Sequence, residues 1–181
     1  MRILILFAHP ALEKSRVHRQ LARAAAALPG VTFRDLYELY PDFYVDVAKE
    51  QQLLLEHDLF IWQHPIYWYS MPPLLKQWID LVLTHGWAYG SQGNALQGKH
   101  VLSAISTGGA EASYQHGGFH DATIHEFLLP LRRTVTLCKM HYLEPFVVHG
   151  THRIQPVELE QHVQRYTARI QALRDGQEVL P

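Results

Sequence analysis

Three short stretches of this 181-residue chain combine residue types that chemistry uses. The first is Tyr67-Trp68-Tyr69, three aromatics directly after His64-Pro65-Ile66 and the apolar run Leu59-Phe60-Ile61-Trp62. Loops are ordinarily polar and lie at the surface. Rings gathered there either form a platform for a flat ligand or roof the core. The second stretch is Ser15-Arg16-Val17-His18, just past His9. Ser15 can cap a helix, and a helix N-terminus offers free N–H groups and a partial positive charge. Hydroxyl, guanidinium and imidazole beside that turn could seat a phosphate, or the turn could be a plain cap with solvated charges. The third is Ser106-Thr107-Gly108-Gly109. Without a Cβ, glycine lets backbone N–H groups come close to a planar heterocycle, or it simply makes a turn. Tyr114 and His120 follow in the same loop, and both can donate or relay a proton.

Other chemistries find less support. There is no P-loop pattern and no G-x-G-x-x-G, so neither triphosphate hydrolysis nor a Rossmann dinucleotide site is indicated. Thirteen histidines is a high count, and His116-x-x-x-His120 and His149-x-x-His152 have ligand-like spacing. A catalytic zinc wants three ligands on ordered elements, whereas the first pair sits in a glycine-bearing loop without a clear acidic partner. No metal is expected, and His57, His100 and His162 read as surface or strand-edge residues. A net charge of −1 with no evident basic face gives nucleic acid no electrostatic case. The single cysteine, Cys138, excludes an intramolecular disulfide and reads as a packing residue among Val135, Leu137 and Met140. The apolar start, Met1 to Phe7, is too short for a signal peptide and is interrupted by His9-Pro10. No apolar run approaches the roughly 20 residues that cross a bilayer. A soluble cytoplasmic protein is expected.

The elements that must position these residues follow from the hydrophobic pattern. Residues 2–8 are continuously apolar, as in a strand buried on both faces of a parallel sheet. A helix capped by Ser15 shows Val17, Leu21, Ala24/Ala25 and Leu28 at helical spacing and stops at Pro29-Gly30. Val31–Leu36 make a second strand, and Tyr37–Val45 read as irregular. Asp46 caps a helix to about His57, and Leu59–Gln63 form the third strand. Pro72-Pro73 start a helix with Leu75, Trp78/Ile79 and Val82 on one stripe, ending near His85-Gly86. Val101–Ser106 form the fourth strand. Asp121 caps a helix to about Lys139 that Pro130 should kink. Tyr142–Val148 form the fifth strand. A last helix from Pro156 buries Leu159, Val163, Tyr166, Ile170 and Leu173, and the tail Asp175–Pro181 reads as loose. Strand and helix thus alternate five times, which predicts one α/β domain over residues 1–181. The architecture is a flavodoxin-like three-layer sandwich: a five-stranded parallel sheet in the order 2-1-3-4-5 with helices on both faces.

In such sheets ligands bind beyond the carboxyl ends of the strands, at the switch in strand order. That rule selects His9–Ser15, His64–Met71 and Ser106–His120, the same loops that the residue types single out.

The segments AHPALEKSRVHR (8–19), LYELYPDF (36–43), WQHPIYWYSMPPLLKQWIDLVLTHGWAYG (62–90), GNALQGKH (93–100) and STGG (106–109) carry a resemblance. The chain resembles the flavodoxin-like NAD(P)H:quinone oxidoreductases, and within them the ancillary subunits of glutathione-gated potassium efflux systems. The resemblance implies a flavin, FMN before FAD. It implies phosphate contacts from His9, Ser15, Arg16, Val17 and His18. It implies ring contacts from Ile66, Tyr67, Trp68 and Tyr69 and from Ser106, Thr107, Gly108 and Gly109. Tyr114 and His120 fall where the family's catalytic Tyr and His support the reduced flavin. A homodimer is implied, with each site completed by the partner subunit. The expected reaction is a ping-pong, two-electron hydride transfer from NAD(P)H through flavin N5 to a quinone. A potassium efflux transporter is a further implied partner, which would put the protein peripherally at the inner membrane, and the flavin could then be mainly structural. NADH against NADPH stays open, as do azo dyes and nitroaromatics as acceptors. Trp87 and Tyr89 either line the acceptor slot or lie in the dimer contact.

Overall fold

The computed structural model describes residues 1–178 and 180. Its strands are β1 (Ile3–Phe7), β2 (Val31–Asp35), β3 (Leu59–Pro65), β4 (His100–Ser106), β5 (His141–Tyr142) and β6 (Phe146–Val148). The helices are α1 (Arg16–Ala26), α2 (Leu36–Leu39), α3 (Val47–Glu56), α4 (Pro73–Val82), α5 (Ile124–Phe127), α6 (Leu129–Leu137) and α7 (Pro156–Arg174). The sheet runs β2-β1-β3-β4-β5, with β6 also pairing with β4, and every pair is parallel. This is the expected order. β1, β3 and nearly all of β4 are buried along their whole length because both sheet faces are covered. Leu4, Leu6, Phe60, Trp62, Val101 and Ile105 face α3, α4 and α6. Ile3, Ile5, Leu59, Ile61, Leu102 and Ala104 face α1 and α7.

Several boundaries differ from the sequence reading, each for a local reason. The irregular Tyr37–Val45 stretch begins as helix α2, because the Asp35 carboxylate accepts from the N–H groups of Tyr37 and Glu38 and caps it. The helix expected from Asp121 splits in two. Thr123, not Asp121, is the cap of α5, in a reciprocal box with Glu126. Pro130 then lies in the first turn of α6, where its missing N–H costs nothing, so it starts a helix rather than kinking one. The fifth strand is broken into β5 and β6, which flank Glu144-Pro145; Pro145 has no N–H for the ladder. The tail is tied down in part: Gln177 N–H donates to Ala172 O at 2.8 Å, and Glu178 pairs with Arg169 at 3.1 Å. Residues 179 and 181 of that tail lie outside the described residues.

Candidate active site

A cavity of about 800 Å³ opens at the carboxyl ends of β1, β3 and β4, in the size range of small-molecule sites. One end is built from His9, Lys14, Ser15, Arg16 and Val17. Ser15 caps α1: its Oγ accepts from His18 N–H at 3.0 Å, which leaves the hydroxyl proton free to donate. The amides of Arg16 and Val17 lie in the first turn, where no intrahelical carbonyl can reach them. His9 Nδ1 accepts from Ala11 N–H at 3.2 Å, so the neutral ring carries its proton on Nε2. Burial lowers the His9 pKa, against the raising effect of Glu13. Arg16 is braced through its guanidinium to Ile154 O at 2.9 Å. Neutral and cationic donors thus converge on one spot, which suits a phosphate.

The opposite end is glycine loop and aromatic hairpin. Tyr67 and Ser70 exchange both backbone hydrogen bonds at 2.9 Å, closing a two-residue turn. Its central residues, Trp68 and Tyr69, have φ of 47° and 63°. Positive φ at both positions is the signature of a type I′ turn and normally calls for Asn or Gly. Two bulky rings there store strain at a site. Tyr67 lines the cavity. Tyr69 stacks on Phe127 at 5.2 Å and meets His120 edge-on at 5.5 Å. Trp68 is 94% exposed at the tip.

Past β4, Thr107 is held rather than offered. Its N–H donates to Val148 O and its hydroxyl to Gly109 O, 2.9 Å each, with His149 Nδ1 also 2.9 Å from that hydroxyl. A Cβ on Gly109 would stand 3.3 Å from His120 Nε2 and 3.4 Å from Tyr114 Oη, so both polar atoms converge over this glycine. The two rings pack at 4.5 Å. A Cβ on Gly108 would come within 2.6 Å of His152 Nε2. Among the described residues neither glycine N–H is used in a backbone hydrogen bond. The cavity therefore offers anion donors at one end, and free amides with a Tyr–His pair at the other. A flat heterocycle with a phosphorylated tail matches that division.

Of the residues singled out from sequence, His9, Ser15, Arg16, Val17, Ile66, Tyr67, Ser106, Gly108, Gly109, Tyr114 and His120 line the cavity. His18 is fully buried behind it, Thr107 is buried in the loop, Tyr69 backs His120, and Trp68 points away. Trp87 and Tyr89 pack against the core on the α3/α4 face and do not line the cavity. Sequence reasoning missed Phe119 and Thr151 and saw His152 only as a metal-like residue; all three are in the wall. The strand-end rule, applied also to the fifth strand, could have found Thr151 and His152, because they follow β6 on the same edge as Ser106. No group of three or more His, Cys, Asp or Glu poised for a metal occurs among the described residues.

Comparison with known proteins places the chain in a family. The sequence profile of the flavodoxin-like fold family matches residues 1–173. The chain is 46% identical to general stress protein 14 of Bacillus subtilis (strain 168), over 94% of this chain and 98% of that one. It is 45% identical to the glutathione-regulated potassium-efflux system ancillary protein KefF of Klebsiella aerogenes, over 93% and 94%. Among solved structures, general stress protein 14 of Treponema denticola in complex with FMN superposes with a TM-score of 0.89 at 40% identity, covering 96% and 99%. An NADPH-quinone reductase from P. pentosaceus gives 0.85 at 34%, covering 93% and 97%. A thermophilic tryptophan halogenase from Streptomycin violaceusniger gives 0.90 at 44%, covering 92% and 97%.

Proposed function

The chain belongs to the flavodoxin-like fold family, and from that premise we propose that it is a flavin-dependent NAD(P)H:quinone oxidoreductase that holds FMN. One observation carries the reading: a single cavity joins a phosphate-type donor set at the α1 N-terminus to free glycine amides and a Tyr–His pair. The similar T. denticola protein contains FMN, and the similar P. pentosaceus protein is a quinone reductase. The residues present fit the cofactor. A Cβ at Gly109 would press on the Tyr114 and His120 rings that stand over the cavity, and His120 Nδ1 is buried without a partner.

When bound, the flavin supplies the two-electron carrier between a nicotinamide and a quinone. His9 through Nε2–H, the Ser15 hydroxyl and the amides of Arg16 and Val17 hold the phosphate. Ile66 and Tyr67 would wall the flavin ring, and the N–H groups of Gly108 and Gly109 would be free to bond its polar edge. Tyr114 Oη and His120 Nε2, which converge over Gly109, would stabilise negative charge on the reduced group, in a partly dry site where such contacts count most. One slot receives two flat substrates in turn, so ping-pong kinetics follow. The exposed rings of Trp68 and of Phe119, the latter 87% exposed at the cavity wall, suit burial by a second copy in a homodimer. Residues 1–181 act as one domain in this reading.

The test is the visible spectrum of the purified protein, with FMN added, followed by steady-state turnover at several NADPH and quinone concentrations. A flavin band near one per chain and parallel double-reciprocal lines are expected. A colourless protein that takes up neither FMN nor FAD would overturn the proposal.

A second reading, compatible with the first, is favoured by the 45% identity to KefF. The protein acts from the cytoplasm on a potassium efflux transporter. No helix among the described residues is long and apolar enough to cross a membrane, so attachment would run through that partner. A variant that binds flavin but does not turn over, tested for transporter activation, separates enzyme from regulator.

A further inference from the structure

His18 is completely buried and does not line the cavity, yet it bonds to two residues in its wall, Ser15 and Ser106. Its backbone N–H donates to Ser15 Oγ at 3.0 Å, which ties it to the phosphate turn. Its ring Nε2 lies 2.8 Å from Ser106 Oγ, and Ser106 is in the cavity wall. The Ser106 carbonyl in turn accepts from Ile66 N–H at 2.8 Å, at the base of the aromatic hairpin. His18 Nδ1 is buried with no hydrogen-bond partner, so Ser106 is the only polar contact of this ring among the described residues. The ring is wedged edge-on against His9 at 5.4 Å and lies 6.0 Å from Phe7.

We propose that His18 is a positioning residue for the ring end of the site. Through Ser106 it holds the start of the glycine loop and the base of the hairpin in register with the phosphate turn, and it makes no contact with the phosphate. The proposal rests on the flavin reading above. The family resemblance implies a different role, a phosphate contact. Burial, with smaller contributions from His9 and His64, holds the His18 pKa well below the ordinary imidazole value, so the ring is neutral and offers a phosphate no counter-charge. A buried hydrogen bond with an otherwise unpartnered donor or acceptor is costly to break, so its loss should move the loops that it joins.

The two roles separate with a ligand that lacks the phosphate. FMN and riboflavin are each titrated against the apoprotein of the full chain by fluorescence quenching. The variants are His18→Phe, which keeps a ring but loses its nitrogens, Ser106→Ala, the pair together, and His18→Gln, whose amide can reach the Ser106 hydroxyl. His9→Ala serves as the phosphate-side control. His18→Phe and Ser106→Ala should each raise the Kd for FMN and for riboflavin by the same factor, about tenfold, the lower end of the cost of an orphaned buried group. The pair should be no worse than either alone, and His18→Gln should recover most of the affinity. His9→Ala should weaken FMN and leave riboflavin unchanged. If His18→Phe weakens FMN only, the residue serves the phosphate and the proposal fails. It also fails if neither ligand is affected, or if the two substitutions add independently. Should His18→Phe not fold, His18→Asn, too short to reach Ser106, takes its place with the same expectations. A wild-type protein that binds neither ligand overturns the flavin reading itself, a result distinct from all of these.

Discussion

Tyr114 Oη and His120 Nε2 stand within 3.4 and 3.3 Å of where a Gly109 Cβ would be. Two donors over one glycine are expected to act as a unit. Tyr114→Phe combined with His120→Gln should leave flavin content unchanged and slow flavin reduction by roughly 100-fold in stopped-flow traces, the usual size of a lost charge-stabilising donor. A normal reduction rate would remove both residues from the chemistry. His64 has a different consequence. It is fully buried, its Nδ1 lies 2.9 Å from Pro65 O, and its Nε2 has no partner. Burial pushes its pKa down to about 4, only partly offset by the Pro65 carbonyl. The unfolded chain binds this proton near pH 6.5 and the folded one only near 4. Stability should therefore be full above pH 6.5, fall as pH drops through that window, and level off below 4. The difference amounts to about 3 kcal/mol. Denaturation midpoints between pH 7 and 4 for wild type and His64→Phe measure it, and an equally steep loss in the variant would show that other groups dominate.

The hairpin shows what an element can hide from its own sequence. Trp68 and Tyr69 occupy left-handed backbone that asparagine and glycine adopt without cost, and each bulky residue there costs about 1–3 kcal/mol. Trp68→Asn with Tyr69→Gly should raise Tm by several degrees, since each kcal/mol is worth roughly 2–4 °C in a chain of this size. The same pair should cost turnover, because Tyr69 packs on both His120 and Phe127. An unchanged or lower Tm would mean that the turn is not strained. The cost falls beside the cavity, next to Tyr67 in its wall. α4 follows the hairpin directly: Pro72 stands at its N-cap position, Pro73 opens its first turn, and Leu74, Leu75 and Trp78 are buried in the core.

Across the whole molecule, the α3/α4 layer hangs on one buried carboxylate. Glu50 has no exposed surface and accepts from Arg34, from Tyr40 Oη at 2.6 Å and from Trp78 Nε1 at 3.0 Å. It joins the edge strand β2, the segment after α2, and helices α3 and α4. Burial, reinforced by Glu50, pushes the Tyr40 hydroxyl up to about 12, so it stays a donor at any working pH. Glu50→Ala strips three donors of their acceptor and should lower stability to denaturant by about 3–5 kcal/mol. Because Glu50 does not line the cavity, the FMN affinity of the folded fraction should survive. A loss below 1 kcal/mol would mean that water replaces the carboxylate. On the other face, Tyr166 of α7 donates to Gln63 of β3 at 2.9 Å and anchors the last helix over the sheet.

The sheet and its order were legible because buried parallel strands write themselves as unbroken apolar runs, as in Ile3–Phe7, and because each is followed by a helical period. Once the order was known, the strand-end rule selected the loops His9–Ser15, His64–Met71 and Ser106–His120 without further information. Caps and breaks were less legible. Asp121 is the stronger single capping residue, but Thr123 is followed three residues on by Glu126, a capping-box pattern that the reading from Asp121 passed over and that the structure forms. Which side chains enter the cavity was legible only in part: eleven of the fifteen named residues line it, and His18, Trp68, Tyr69 and Thr107 do not. Tyr67 lines the cavity and Trp68 is exposed at the tip, because left-handed backbone at Trp68 and Tyr69 reverses the chain between Tyr67 and Ser70. His18 turns beneath the site because the buried stripe of α1 carries it there with Val17, Leu21 and Ala25. Sequence by itself determined which backbone ends meet, since hydrophobic periodicity is a property of the chain. Only the tertiary structure decided which atoms face the ligand, since side-chain direction depends on dihedral angles and on partners distant in sequence.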